Sequence, residues 1–444
     1  MSNIETLRSD NRIGRQFITY VGPSMLTMVL IGLYGIVDGY FVGQVLGDAG
    51  LAALNLVWPL TSLVSSIGVG IGTGGAIILS VKRGEGDQAG ARTAGRTAIV
   101  LLMGASVLFT LFYYFFTPKI VWALGARGVL YEMGMEYIQV IVTWASAQII
   151  GSGLVPIIKN LGHPIYAMII MIMGMVANVV LDWLALYRWN TGLGGIALAT
   201  CMGQALVAVL ALLMIIKSGL VGRGNFFSLP LGRRILAIGA SPFGLTVAPG
   251  VVIVFNNWQI LNYGGTDELA VYTVVCYAGY VIYSLMQGLA DGVQPIISFC
   301  HGAGNHRAKK RVMAAAFALG GVMSFALTLA VVVSRRSFPV FYGVSGVVAD
   351  KSVSGMIWLA VAVTFIGIAR IMSAYFYAID DSLSAALMVY ADPLVFTPLY
   401  LLTLAHAFGV IGIWMTYPAT QCSLGLLSLV LLRIRKRRGE LSPP

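Results

Sequence analysis

Long apolar stretches separated by short polar segments recur twelve times along the chain. A helix rising about 1.5 Å per residue needs ~20 mostly apolar residues to cross a hydrocarbon layer about 30 Å thick. By that measure spans are predicted near 17–46, 51–80, 94–117, 131–157, 164–187, 193–217, 238–263, 268–299, 312–333, 354–379, 383–404 and 408–432. Polar positions break the pattern in a few places. In span 5, Met168, Met171, Met175, Asn178 and Asp182 are spaced 3, 4, 3 and 4 apart, so they share one stripe of a helix.

Composition agrees with the pattern and excludes a soluble globular class: 58% of residues are hydrophobic, 10% are charged and mean hydropathy is +0.87. The expected fold is an all-α polytopic membrane protein. Arg8, Arg12 and Arg15 precede a hydrophobic run of full spanning length, with no short apolar core leading to a small-residue cleavage site, so the first span is expected to stay. Cys201, Cys276, Cys300 and Cys422 sit in or at the ends of spans without paired or metal-ligand spacing. They imply neither a disulfide framework nor a zinc site.

A net charge of +11 raises the question of nucleic acid, and the placement of the basic residues answers it. Of 28 Lys and Arg, 21 fall on the side of the N-terminal tail and 6 on the other, with Arg370 inside a span. The positive-inside rule therefore places both termini in the cytoplasm of a plasma (inner) membrane protein.

The chain repeats itself at about half its length. Ile78-x-Ser80 followed by Gly84-x-Gly86-Asp87 matches Ile296-x-Ser298 followed by Gly302-x-Gly304-Asn305 at an offset of 218. Gly195-Ile196 with Gln204 matches Gly412-Ile413 with Gln421 at 217, and Pro23-x-x-Leu26-Thr27 matches Pro242-x-x-Leu245-Thr246 at 219. Six spans per half is an even number, so both halves enter from the same side and enclose a central cavity. The division is an N-lobe at 1–217, an inter-lobe cytoplasmic loop at 218–234 and a C-lobe with a basic tail at 235–444. In the loop, Phe226, Phe227, Leu229 and Leu231 are candidates for the membrane interface.

Ionisable residues inside spans carry the functional signal, because each costs roughly 2.5 to 3.5 kcal/mol at mid-bilayer and must face the bundle interior or water. They are Asp38, Asp182, Asp291, Arg370 and Asp392. Asp38 lies 10 residues before Asp48, Asp182 lies 6 before Arg188, and Thr200 lies 8 after Gly192, so all three fall in the outer half of the first repeat. Asp182 and Asn178 one turn apart, with three thioethers running inward, read as a cation site at the end of a soft wall. Packing against neighbours explains the methionines equally well. Asp291, Arg370 and Asp392 share a level about 14–15 Å from the cytoplasmic ends of their spans. Either they form a charge cluster or each faces water in the cavity.

Pro23 and Asp38 in span 1, Asn178-x-x-x-Asp182 in span 5 and Thr200 in span 6, repeated over twelve spans, resemble the multidrug and toxic compound extrusion (MATE) family. The likeness covers essentially the whole chain, and Gly292-Val293-Gln294-Pro295 looks closest to its bacterial MepA-like branch. The resemblance implies export of bulky, often cationic organic compounds in exchange for protons or sodium ions. It implies a cation site at Asp38, Asn178, Asp182 and Thr200, and a substrate cavity lined in part by Tyr34, Met168, Met171 and Met175. Some branches carry acidic residues in spans 7 and 10; here span 7 has Asn256 and Asn257 and span 10 has Arg370. A second cation site of that type is not expected.

Other motifs resolve to simpler readings. Gly70-x-Gly72-x-x-Gly75 fits a dinucleotide fingerprint by letters, but it lies in an apolar span with no strand before it, which favours close helix packing. His163, His301, His306 and His406 sit near span ends with no shared spacing. Lys309-Lys310-Arg311 sets topology by default, with anionic lipid as the alternative. Pro23 and Pro242 either open the first membrane turns of their helices or, at Pro23, bend span 1 during transport. No phosphate-binding loop is present, so an ion gradient must supply the energy and no enzyme activity or cofactor is expected. The reading is a monomeric secondary antiporter working by alternating access, with a proton as coupling ion and sodium as the alternative. The competing function is a lipid-linked oligosaccharide flippase, which would call for a strongly basic cavity.

Overall fold

The computed structural model describes residues 13–123, 126–222, 224–341 and 346–437. The side chains of 33–40, 44, 48, 49, 51, 52, 55, 266, 267, 270 and 341 lie outside the described residues. Tyr34 and Asp38 belong to that group.

Among the described residues every regular element is helical. The order is α1 (Ile13–Glu85), α2 (Gln88–Ala123), α3 (Val129–Thr143), α4 (Ala145–Asn160), α5 (Pro164–Trp183) and α6 (Gly192–Lys217), then α7 (Leu229–Gly302) and α8 (His306–Ser334). They are followed by α9 (Ser337–Phe341), α10 (Gly346–Ala378), α11 (Ser382–Ala391), α12 (Thr397–Phe408) and α13 (Val410–Arg437). Two π-helical turns extend α5 through Leu184–Arg188 and join α11 to α12 through Asp392–Phe396. Ten helices among the described residues are long and apolar enough to cross a membrane, and the bent pair Val129–Thr143 plus Ala145–Asn160 makes one more. The 13–46 arm of α1, about 50 Å long at 1.5 Å per residue, completes twelve crossings.

The sequence pattern separates spans 1 and 2 as well as 7 and 8, and the backbone breaks between the members of each pair at a glycine. α1 has 73 residues and breaks at Gly47 (φ 64°, ψ −161°); α7 has 74 and breaks at Gly265 (φ 71°, ψ −164°). That region of φ, ψ space is open essentially to glycine alone, which is why the reversal falls there. Span 4 departs from a straight helix. It bends by 60° at Trp144, between α3 and α4.

The internal repeat is written in the backbone as well as in the letters. Left-handed residues recur in register at Gly47 and Gly265, Gly86 and Gly304, Gly128 and Gly346, Gly162 and Asp380, and Gly192 and Gly409. The caps match too: Asp87 Oδ1 accepts from the Gly90 amide at 2.7 Å and Asn305 Oδ1 accepts from the Ala308 amide at 2.9 Å, each stabilising the start of the next helix. Pro23 and Pro242 lie well inside α1 and α7, each with its carbonyl accepting the hydroxyl of Thr27 or Thr246.

Contacts divide the chain into two compact units. Among the described residues the first comprises 30–247 and 302–304; the second comprises 13–29, 248–301 and 305–437. In the first, the glycines of the 70–75 motif serve close packing: a Cβ on Gly70 would meet Gly239 of α7, one on Gly72 would meet Gly153 of α4, and one on Gly75 would meet Ala98 of α2. The loop after α6 is fastened to α2 in the same unit. Arg96, almost fully buried, donates through Nε to Leu220 O at 2.7 Å and packs 5.3 Å from the Phe226 ring, while Thr97 Oγ1 accepts the Ser228 amide. In the second unit, Gly288 and Gly292 let the second arm of α7 lie directly on the backbone at Met25 and Val21 of α1. Its apolar core joins Val275, Ile282 and Met286 of α7 to Met356, Val363 and Ile366 of α10.

Candidate functional site

In the first unit the site is built on the α5–α6 pair. A Cβ on Gly203 would lie 2.8 Å from Gly174 O and 2.9 Å from Asn178 Cβ, so the two glycines are what allow these helices to touch. The close approach presses Asn178 against α6. Its Nδ2 donates to Thr200 Oγ1 at 3.4 Å, and both Asn178 and Asp182 are withdrawn from solvent, at 3% and 1% exposure. A carboxylate so placed costs several kcal/mol unless it is neutralised by a proton or a cation, or satisfied by polar neighbours.

Asp38 is outside the described residues, but the helix that carries it is located. The Phe41 and Tyr187 rings meet edge to face with centroids 6.1 Å apart. Asp38 is one turn before Phe41 and Asp182 about a turn and a half before Tyr187, so their backbones come to a similar depth on neighbouring helices. The structure thus brings Asn178, Asp182 and Thr200 together and sets Phe41, one turn after Asp38 in α1, against Tyr187.

The methionine stripe lies on the less exposed side of α5. Met168, Met171 and Met175 are half-buried, whereas Ile169, Met173, Val176 and Val180 on the other side of the helix are 41–57% exposed. Tyr34 lies outside the described residues.

The second unit gathers a different polar set. Arg370, 4% exposed, places Nη2 3.8 Å from Asp392 Oδ2, donates through Nη1 to the Tyr283 hydroxyl at 3.1 Å, and holds its guanidinium 5.1 Å from that ring's centre. Asp392 also accepts from Thr397 Oγ1 at 3.1 Å and from Gln421 Nε2 at 3.3 Å. The π-helical turn explains the Thr397 contact: one extra residue per turn puts position i+5 over position i, and Pro398, which has no N–H to give, favours opening the helix there. Asp291 takes a separate partner, Gln287 Nε2 at 2.9 Å, with the Tyr377 hydroxyl also on it. In this cluster the ion pair joins Arg370 to Asp392, and Asp291 accepts from Gln287.

Tyr283, Gln287, Thr397 and Gln421 were not singled out by the sequence. They are uncharged, and uncharged polar residues inside spans are too common to stand out without coordinates. Gln421 alone left a trace, as the repeat counterpart of Gln204. Among the described residues no group of three or more His, Cys, Asp or Glu could hold a metal ion, and all four cysteines are free thiols.

The MatE family model matches residues 23–184 and 251–399 of this chain. The multidrug export protein MepA of Staphylococcus saprophyticus is 24% identical, with 92% of each chain covered. Among solved structures, a MATE protein in the straight conformation superposes with a TM-score of 0.91 at 19% identity, covering 99% of both chains. A MOP superfamily transporter from Pyrococcus furiosus, described as having a binding pocket of reverse polarity that suggests a different function, gives a TM-score of 0.90 at 19% identity over 100% of this chain and 99% of its own.

Proposed function

This chain belongs to the MatE family of membrane transporters, and from that premise we propose that it is a secondary antiporter exchanging organic, often cationic, compounds for protons by alternating access. It is a multi-pass plasma-membrane transporter of the multidrug-efflux family rather than an enzyme. The coupling ion, the site and the direction of the termini belong to the proposal; both termini face the cytoplasm, following the one-sided Lys and Arg.

The observation that carries the proposal is the burial of Asp182 beside Asn178 and Thr200, at the depth reached by the Asp38 turn of α1. Two carboxylates brought together away from water resist carrying two charges, so one of them takes up a proton or a cation. Asn178 and Thr200 would orient the carboxylates. The same oxygens could hold sodium, which makes sodium the alternative coupling ion. Substrate would lie in the central cavity against Tyr34, Met168, Met171 and Met175, whose flexible thioethers repack around unlike shapes.

The flippase reading needs a strongly basic cavity. Arg370 is the basic residue inside a span, and it is already engaged by Asp392 and Tyr283, which favours antiport.

The test is efflux of a fluorescent organic cation from proteoliposomes under imposed proton or sodium gradients. A proton gradient alone should drive efflux, and Asp38→Asn and Asp182→Asn should each abolish it while the protein still elutes as a folded monomer. Near-normal efflux in either variant removes that residue from the site, and drive by sodium alone replaces the proton.

A further inference from the structure

α3, α5 and α6 enclose a groove of about 430 Å3 in the first unit, lined by Trp144, Leu181, Ala185, Trp189, Ala199 and Met202 among others. Only two of its lining residues, Thr143 and Thr191, carry an aliphatic hydroxyl, and both turn it to a backbone carbonyl, Gln139 O at 2.8 Å and Ala185 O at 3.0 Å. Water in a cavity requires several polar partners, and this one offers almost none, so its occupant is apolar. The groove opens outward: Trp144, Trp189, Leu198 and Met202 at its rim are 40–58% exposed on a surface that faces lipid in a membrane protein.

Its length and ends narrow the occupant further. From Thr191 to Met202 the groove follows α6 for eleven residues, about 16 Å, close to half of the ~30 Å hydrocarbon thickness. It therefore runs from headgroup level to mid-bilayer in the leaflet opposite the termini. At the headgroup end stand Trp189, a residue type favoured at the interface, and beside it in sequence the exposed Arg188, whose guanidinium suits a phosphate. At the inner end the 60° bend at Trp144 opens the space between α3 and α6.

We propose that this groove is a binding site for one phospholipid of that leaflet, with an acyl chain lying along α6 from Trp189 to Met202 and the phosphate at Arg188. The occupant is held rather than passing, because it is walled on three sides by helices instead of touching one convex face. Leu181 and Ala199 in its floor directly precede Asp182 and Thr200, so the lipid backs onto the α5–α6 pair that carries the candidate ion site.

The probe is phosphatidylglycerol brominated at mid-chain, incorporated in nanodiscs with the full-length protein before transfer to detergent and washing. Native mass spectrometry of the wild type should retain one phospholipid per chain. Leu198→Trp with Met202→Trp, both at the rim, should cut retention at least about tenfold, the loss expected when two methylenes can no longer be buried. Met173→Trp, equally exposed but outside the groove, should retain it. Equal retention in the filled variant, or none in the wild type, overturns the proposal. Should the filled variant not fold, the wild type decides: retained brominated lipid should quench fluorescence that Trp144→Phe removes, and quenching unchanged by Trp144→Phe overturns it.

Discussion

Replacing Arg370 by methionine tests whether the polar cluster of the second unit rests on the Arg370–Asp392 ion pair. Methionine keeps much of the aliphatic volume and deletes the charge that faces Asp392 at 3.8 Å and the donor to Tyr283. Removing one partner of a buried pair typically costs 3–5 kcal/mol, because the remaining charge is left without compensation. Here the cost belongs at the lower end, about 3 kcal/mol, since Asp392 keeps its bonds from Thr397 and Gln421. That corresponds to roughly a 150-fold shift in the folding equilibrium. Adding Asp392→Asn should recover most of the loss, because the amide needs no counter-charge. Adding Asp291→Asn should recover little, because Asp291 is held by Gln287 rather than by the arginine. The assay is unfolding of the purified protein in mixed micelles of increasing denaturing detergent, followed by far-UV circular dichroism. Equal rescue by Asp291→Asn, or no rescue by Asp392→Asn, would refute the assignment of the pair.

Three further outcomes are expected. Met168→Leu, Met171→Leu and Met175→Leu together conserve volume and should cost little stability, under about 1.5 kcal/mol each, while altering the relative efflux rates of differently shaped substrates more than the ion dependence; an unchanged substrate profile would remove the stripe from the cavity. Gly203→Val should lower folded yield sharply, since its side chain would press on Gly174 O and Asn178 Cβ within 3 Å, and normal yield measured by size-exclusion chromatography would contradict the close approach. Burial and the nearby Arg83 hold the His163 imidazole below its ordinary value of 6.5, so the folded state prefers it neutral. Its contribution is intact above that value and is lost as pH falls below it, as the unfolded chain binds the proton first; His163→Gln should flatten that part of the pH–stability curve, and an unaltered slope would refute the account.

Hydropathy located the spans because lipid demands about the same length of apolar helix at each crossing, and the repeat was legible because its glycine-rich loops are short and distinctive. What hydropathy cannot see is how crossings are joined or bent. Gly47 and Gly265 fall in the predicted gaps between spans, and the backbone breaks there. The bend at Trp144 carries no proline or glycine, so nothing in Thr143-Trp144-Ala145 announces it. Asn178, Asp182 and Thr200 could be gathered by depth and stripe alone, because one turn of α5 and one position on α6 suffice to bring them together. The second unit's site was only half legible: three charges at one level allow either a cluster or separate contacts with water, and the pairing of Arg370 with Asp392 depends on the π-helical turn, which needs coordinates.

Two of the boundaries between the units fall inside helices rather than in loops. The chain leaves the second unit for the first inside α1, between Val29 and Leu30, and returns to it inside α7, between Val247 and Ala248, while the loop after α6 stays tied to α2 by Arg96. A peptide loop transmits tension only when taut and carries no torque; a continuous helix resists twisting and bending at every moment. Two stiff shafts rather than slack tethers therefore connect the units at these crossings, and each has a proline upstream, at Pro23 and at Pro242, where one backbone hydrogen bond of the shaft is absent by covalent necessity.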